Sequence, residues 1–212
     1  MNSVASETPA TPRSHRLEQD AWGVVLCGGK SGRMGRDKAR LVLDGETLLA
    51  RAARTLGELV PRVILACGPE PRYGDLGLET VLDDEQGLGP LAGLSAALAR
   101  LQSDGIEYAC VLACDMPRVS PGVFRALLEL VRKERADVAL IAADGGPEPL
   151  CGVYRVRALP EVRAALARGE RRMIAFHPAV RVVTLDQRKL SADCRVNLNT
   201  PDEFRSEGGR WS

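Results

Sequence analysis

The sequence predicts an α/β domain: a three-layer sandwich around a mostly parallel, mixed central sheet. Three observations lead there. Short, fully apolar runs alternate along the chain with segments of helical periodicity. The runs lack the in/out alternation of a half-exposed sheet, as expected when helices cover both faces. Chemistry-bearing residues cluster directly after three of these runs, at Gly28–Lys38, Asp83–Gly93 and Asp115–Pro117. Parallel sheets bind ligands beyond the carboxyl ends of their strands.

Each element has a local reason. Trp22–Cys27 (WGVVLC) is a β-branched apolar run that ends in glycines, so it reads as a buried strand entering a loop. Leu41–Leu43 followed by Asp44-Gly45 reads as a short strand and turn. Thr47–Leu59 places Leu48, Leu49, Ala52, Leu56 and Leu59 at helical spacing. Arg62–Cys67 and Glu79–Leu82 read as strands, followed by a turn-rich stretch and a helix over about Leu91–Leu101. Tyr108–Ala113 is a further buried strand. Ser120-Pro121 supplies an N-cap and a first-turn proline for a helix to about Glu134. Ala136–Ala142, Pro149–Tyr154 and Val180–Leu185 read as strands, with a helix near Pro160–Ala167 and a last one starting near Thr200-Pro201. Residues 1–20, rich in Ser, Thr, Pro and charge, read as a disordered leader, with residues 21–212 as one domain. The leader lacks the apolar core of a signal peptide.

Composition narrows the function. Among 212 residues, 29 Lys and Arg nearly cancel 28 Asp and Glu, for a net charge of +1. That argues against a broad nucleic-acid surface or a polybasic membrane anchor, but not against a local cationic site. Of the 29 cations only four are lysines: Lys30, Lys38, Lys133 and Lys189. No apolar run reaches the ~18 residues of a membrane span. Six cysteines, mostly inside apolar runs, read as free buried thiols of a reducing compartment. The two histidines complete no zinc pattern.

The first strand end reads Leu26-Cys27-Gly28-Gly29-Lys30-Ser31-Gly32-Arg33-Met34-Gly35-Arg36-Asp37-Lys38. Its glycines allow close backbone approach, and successive N–H groups in such loops form anion sites. Arg33, Arg36 and Lys38 add donors suited to phosphate oxygens. The loop is not a P-loop, because Val24 stands where that motif needs glycine, and its glycine spacing also fails the dinucleotide fingerprint. At the second strand end, Asp83-Asp84 precedes a glycine-rich helix start. The pair reads either as a nucleotide contact or as a solvated acidic turn. At the third, Asp115 closes a fully apolar strand, where an unpaired carboxylate is costly and a divalent cation is a natural partner.

With these residues in view, the chain resembles the nucleotidyltransferases, and more narrowly the molybdenum cofactor guanylyltransferase family. The matching runs are L-x-G-G at Leu26–Gly29, R-M-G-x-D-K at Arg33–Lys38, G-P-L-A-G at Gly89–Gly93, C-D-x-P at Cys114–Pro117 and N-x-N-T-P at Asn197–Pro201. The resemblance covers about Trp22 to Phe204. It implies a Rossmann-like fold and transfer of GMP from GTP to the phosphate of molybdopterin, with release of pyrophosphate and formation of the guanine dinucleotide cofactor. It also implies Mg²⁺ as cofactor, with Asp115 as its ligand and Arg33, Lys38 and Asp115 as the catalytic set. Leu26, Cys27, Gly28, Gly29, Lys38, Asp84 and Asp115 would bind the nucleotide. Arg171, Arg172, Asn197 and Asn199 are candidates for the acceptor side, although the arginines also read as a solvated face and the asparagines as caps. The expected setting is the cytoplasm, with transient contacts to proteins that insert molybdenum.

Two positions depart from the family pattern. Cys27 replaces the usual alanine. Ala66 stands where an asparagine contacts the nucleotide, which leaves open a cytidylyltransferase or another transferase acting on a related phosphorylated acceptor. Gly28 favours guanine, since cytidylyl relatives tend to carry alanine there. A nucleotide-binding accessory protein without catalysis is the reading from a different class; the intact Lys38 and Asp115 argue against it.

Overall fold

A computed structural model describes residues 18–28, 37–83, 89–143, 145–190, 197–198 and 200–209. A seven-stranded sheet runs through the molecule in the order β5-β4-β1-β6-β8-β7-β9. Its strands are β1 (Ala21–Leu26), β4 (Val63–Ala66), β5 (Glu79–Val81), β6 (Tyr108–Ala113), β7 (Val138–Ala143), β8 (Gly146–Arg155) and β9 (Val182–Asp186). A two-stranded hairpin, β2 (Val42–Leu43) and β3 (Glu46–Thr47), stands apart from it. All pairings in the sheet are parallel except those of β8, which runs antiparallel to both β6 and β7. The mostly parallel, mixed sheet read from the sequence is thus present, with one reversed strand.

The helices divide between the two faces. On one face, α1 (Leu48–Gly57) and α3 (Pro121–Lys133) pack Leu49, Leu56, Phe124 and Leu127 against Val25, Leu65 and Leu112. On the other, α2 (Pro90–Ser103) and α4 (Leu159–Ala167) pack Leu94, Leu98 and Val162 against Val24, Ile64 and Val111. Successive strand residues therefore serve opposite cores, which is why the strands read as unbroken apolar runs. A short α5 (Pro201–Ser206), closed by a Thr200–Glu203 capping box, buries Phe204 with Leu198 against Leu41, Leu43 and Leu48. The C-terminal segment is thereby fixed beside the hairpin and α1.

β8 begins three residues before the predicted Pro149, because Gly146 at φ +92° allows a tight return from β7. Prolines 147 and 149 are tolerated because β6 pairs with β8 only as far as Cys151, so the first half of the strand is a sheet edge on that side. Most of the predicted leader lies outside the described residues. At its end, Arg132 of α3 holds Glu18 at 2.9 Å and Asp20 at 2.6 Å. Among the described residues, no helix is long and apolar enough to cross a membrane.

Gly152 sits where the β7–β8 register shifts between Leu140 and Ile141. A Cβ there would collide with Leu140 Cδ2 and lie 3.0 Å from the Ala139 carbonyl oxygen. Gly152→Ala is expected to cost about 1–3 kcal/mol by overpacking, read as a lowered midpoint in urea unfolding.

Candidate active site

The parallel strands β1, β4 and β6 end together, and the site is built on that edge. Leu26 is in register with Ala66 on one side and Ala113 on the other. The Ala66 carbonyl accepts hydrogen bonds from both Cys27 N and Gly28 N, at 3.0 and 3.2 Å. Gly28 has no room for a side chain: a Cβ would lie 3.0 Å from the backbone of Cys67 and of Gly68. This first turn of the loop is therefore held tight against β4 by backbone alone. Gly29, Lys30 and Arg33 beyond it lie outside the described residues, as do Asp84 and Asn199.

The chain re-enters at Asp37, which caps a short 3₁₀ turn over Lys38–Arg40. Its carboxylate accepts from Ala39 N at 3.1 Å and from the Tyr73 hydroxyl at 2.9 Å. Tyr73 is buried and takes a left-handed conformation at φ 61°. Burial first, and then Asp37, pushes its phenol well above the ordinary range, so it stays a neutral donor. The cap fixes the turn so that Lys38 Nζ lies 2.6 Å from Asp115 Oδ2. Both side chains are mostly buried, at 16% and 17% exposure. Solvent screens such a pair less than a surface ion pair.

Asp115 follows β6 directly. Its other oxygen, Oδ1, is buried with no hydrogen-bond partner among the described residues. A buried carboxylate oxygen without a partner is uncommon and calls for an explanation. The residues fit a hard cation such as Mg²⁺, which takes one or two carboxylates and completes its shell with water and phosphate oxygens. Among the described residues no group of three or more His, Cys, Asp or Glu gathers to hold a metal.

The C-terminal segment closes onto this edge. Leu198 N donates to the Asp115 carbonyl at 3.0 Å. Asn197 Nδ2 donates to Glu148 Oε2 at 3.3 Å, while Glu148 Oε1 accepts from Leu150 N at 3.1 Å. Asn197 Oδ1, like Asp115 Oδ1, is buried without a partner among the described residues. Arg171 and Arg172 are exposed, in the segment anchored by buried Met173 and Phe176. A Cβ on Gly89, at the N-terminus of α2, would lie 3.1 Å from the Arg171 carbonyl oxygen. The second glycine run and the candidate acceptor arginines are therefore neighbours.

The remaining candidates are placed as follows. Leu26, Cys27 and Ala66 are buried; Ala66 packs its methyl toward Gly93 of α2, where an added Cβ would be 3.4 Å away. Asp83 N donates to the Gly68 carbonyl at 3.3 Å, so Asp83 is tied to the end of β4. Cys114 is buried, and burial pushes its thiol up to about 12, which leaves it protonated at neutral pH. Sequence reasoning missed Tyr73, which lies in an irregular loop with no motif. Glu148 also belongs to no motif; a charged residue between two prolines is the one visible signal there.

A mostly parallel sheet covered on both faces, with an acid and a lysine paired at its carboxyl edge, is the kind of α/β fold that binds nucleotides at that edge. Comparison with known proteins sharpens this. Residues 23–182 match the model of the MobA-like NTP transferase domain. The chain is 39% identical over 191 residues to a probable molybdenum cofactor guanylyltransferase of Opitutus terrae, covering 90% of this chain and 89% of that one. It is 30% identical to the molybdenum cofactor guanylyltransferase of Vibrio parahaemolyticus, covering 90% and 95%. The crystal structure of molybdopterin-guanine dinucleotide biosynthesis protein A from Archaeoglobus fulgidus superposes with a TM-score of 0.75 at 26% identity, covering 88% and 96%. The chain belongs to the MobA-like NTP transferase family, among the molybdenum cofactor guanylyltransferases.

Removing Glu148 would leave the Leu150 N–H and the Asn197 amide without their acceptor. Glu148→Ala is expected to destabilise the protein by about 1–3 kcal/mol. The C-terminal segment should lose protection in hydrogen exchange before the sheet does.

Proposed function

We propose that the protein transfers GMP from GTP to the phosphate of molybdopterin, releasing pyrophosphate and forming the guanine dinucleotide form of the molybdenum cofactor. The observation that carries this reading is the Lys38–Asp115 pair at the carboxyl edge of the sheet, with one Asp115 oxygen open. The names of the relatives support the choice of base and acceptor.

In this reaction an acceptor phosphate oxygen attacks the α-phosphorus of GTP. The bond from that phosphorus to the bridging oxygen breaks, and pyrophosphate departs. No protein nucleophile is needed; positioning and charge neutralisation carry the catalysis. Asp115 would hold Mg²⁺ through its open oxygen, and a bound Mg²⁺ would neutralise the phosphates and orient the attack. Lys38, now against Asp115, would turn its ammonium toward the triphosphate and stabilise the departing pyrophosphate. Arg33 is assigned the same task from the glycine loop. The backbone at Leu26–Gly29, with Asp84, would hold the nucleoside. Arg171, Arg172, Asn197 and Asn199 would meet the acceptor, and the contact of Gly89 with the Arg171 carbonyl supports placing it beside the second glycine run. We assign the cytoplasm as the setting, with transient contacts to molybdenum-insertion proteins.

The Ala66 methyl, turned toward α2, cannot supply the amide that an asparagine would give, so the base is chosen by other contacts. This makes the choice of base worth testing directly. Thermal unfolding with Mg²⁺ and each of GTP, CTP, ATP and UTP at about 100 times Kd should show a rise of roughly 5–10 °C with GTP and less with the others. A larger rise with CTP would replace the guanylyl reading by a cytidylyl one. Asp115→Asn keeps the shape of the side chain but removes its charge. It should lower turnover by about 100-fold or more while leaving the unfolding temperature within a few degrees. Activity close to the unaltered protein would remove Asp115 from the metal site.

A further inference from the structure

Three thiols stand in a row across the carboxyl edge of the sheet. Leu26 pairs with Ala66 and with Ala113, so the next positions along β4, β1 and β6 are Cys67, Cys27 and Cys114. All three are buried on the face shared with α1 and α3, in the same cluster as Ala39 of the Lys38 turn and Tyr73. Neighbouring strands lie about 4.8 Å apart, and disulfide-bonded cysteines have Cα atoms about 4.4–6.8 Å apart. In-register neighbours on one face meet that requirement without backbone movement. Between Cys27 and Cys67 the sulfurs are in direct contact, at 2.6 Å. The proposed transfer chemistry uses the Cys27 backbone but neither sulfur, and the family pattern has a small residue, not a thiol, at position 27.

We propose that Cys27 and Cys67 are an oxidisable pair, a modification site that closes to an intramolecular disulfide when the protein meets a peroxide. Gly28 beside Cys27 is exposed, which gives a small oxidant its approach. Cys27 Sγ attacks one peroxide oxygen, the O–O bond breaks, and water leaves with the thiol proton, giving a sulfenic acid at Cys27. Cys67 Sγ then attacks the Cys27 sulfur, the S–O bond breaks, and a second water leaves with the Cys67 proton. The two thiols lose two electrons and the peroxide gains them. Contact with Cys67 and burial both push the Cys27 thiol upward, so it is protonated at neutral pH and the reaction is slow, over hours with excess oxidant. Such bonds are uncommon in reducing compartments, where they act transiently. The bond would close a loop of 40 residues that contains Lys38 and α1, and would tie the start of the glycine loop to the end of β4.

The test uses the reduced full chain, treated with hydrogen peroxide, blocked with iodoacetamide and digested without reductant. A linked peptide joining Cys27 to Cys67 is expected, lighter by about 2 Da than its two reduced parts, with the other described thiols alkylated after unfolding. The unfolding temperature should rise by roughly 8–15 °C on oxidation and return with dithiothreitol. Cys67→Ala and Cys67→Ser should each abolish both the linked peptide and the rise. Alkylation of both Cys27 and Cys67 after peroxide treatment would overturn the proposal, as would a Cys27–Cys114 link in their place or an undiminished temperature rise in the Cys67 variants. The outcome does not depend on which nucleotide or acceptor the protein uses.

Discussion

The site depends on one constraint, the common ending of three parallel strands. Because β1 is in register with both β4 and β6, Gly28, Gly68 and Asp115 emerge at one edge. At Asp37 the chain is again beside that edge, and the Asp37 cap with its Tyr73 clamp fixes the turn over Lys38–Arg40. Lys38 arrives within hydrogen-bond distance of a carboxylate 77 positions away in sequence. Without a sheet buried on both faces, neither the register nor the low exposure of the pair would hold. An ion pair this shielded keeps both side chains at the edge where a reaction run on positioning and charge would use them.

Much of the fold was legible because its cause is local. Trp22–Cys27, Tyr108–Ala113 and Ala136–Ala142 are apolar on both faces, and that pattern admits little besides a covered strand. Pro121 and the Thr200-x-x-Glu203 box mark helix starts through backbone chemistry visible in the residues themselves. The direction of β8 was not legible. It follows from the tight return at Gly146 and from which edge of β6 was still open, and both are facts of assembly. The prolines at 147 and 149 hid the first half of the strand, since their tolerance depends on the pairing with β6 stopping at Leu112↔Cys151.

The site divides in the same way. Asp115 stood out because charge at the end of an apolar strand has a cost that packing does not repay, and Lys38 because it is a cation following a glycine-rich run. Their contact is a property of the fold. Tyr73 could not be found from sequence, since its role depends on the chain passing beneath Asp37. Glu148 gained its meaning from Asn197, 49 positions away, and Arg171 from the carbonyl it places against Gly89. The scarcity of lysine, four among 29 cations, makes the lysine at position 38 informative. A lysine at position 38 offers a compact charge that can leave a carboxylate for a phosphate, where a guanidinium would engage the carboxylate bidentately.

Lys38 and Asp115 are expected to serve the transfer as a unit. A double-mutant cycle on kcat/KM for GTP, with saturating molybdopterin and Mg²⁺, tests it most directly, using Lys38→Ala, Asp115→Asn and the double variant. Strong non-additivity is expected: the double variant should fall little below the less active of the two single variants. Losses that simply multiply would show that the two groups act independently, and the contact between them would then be no more than a structural ion pair.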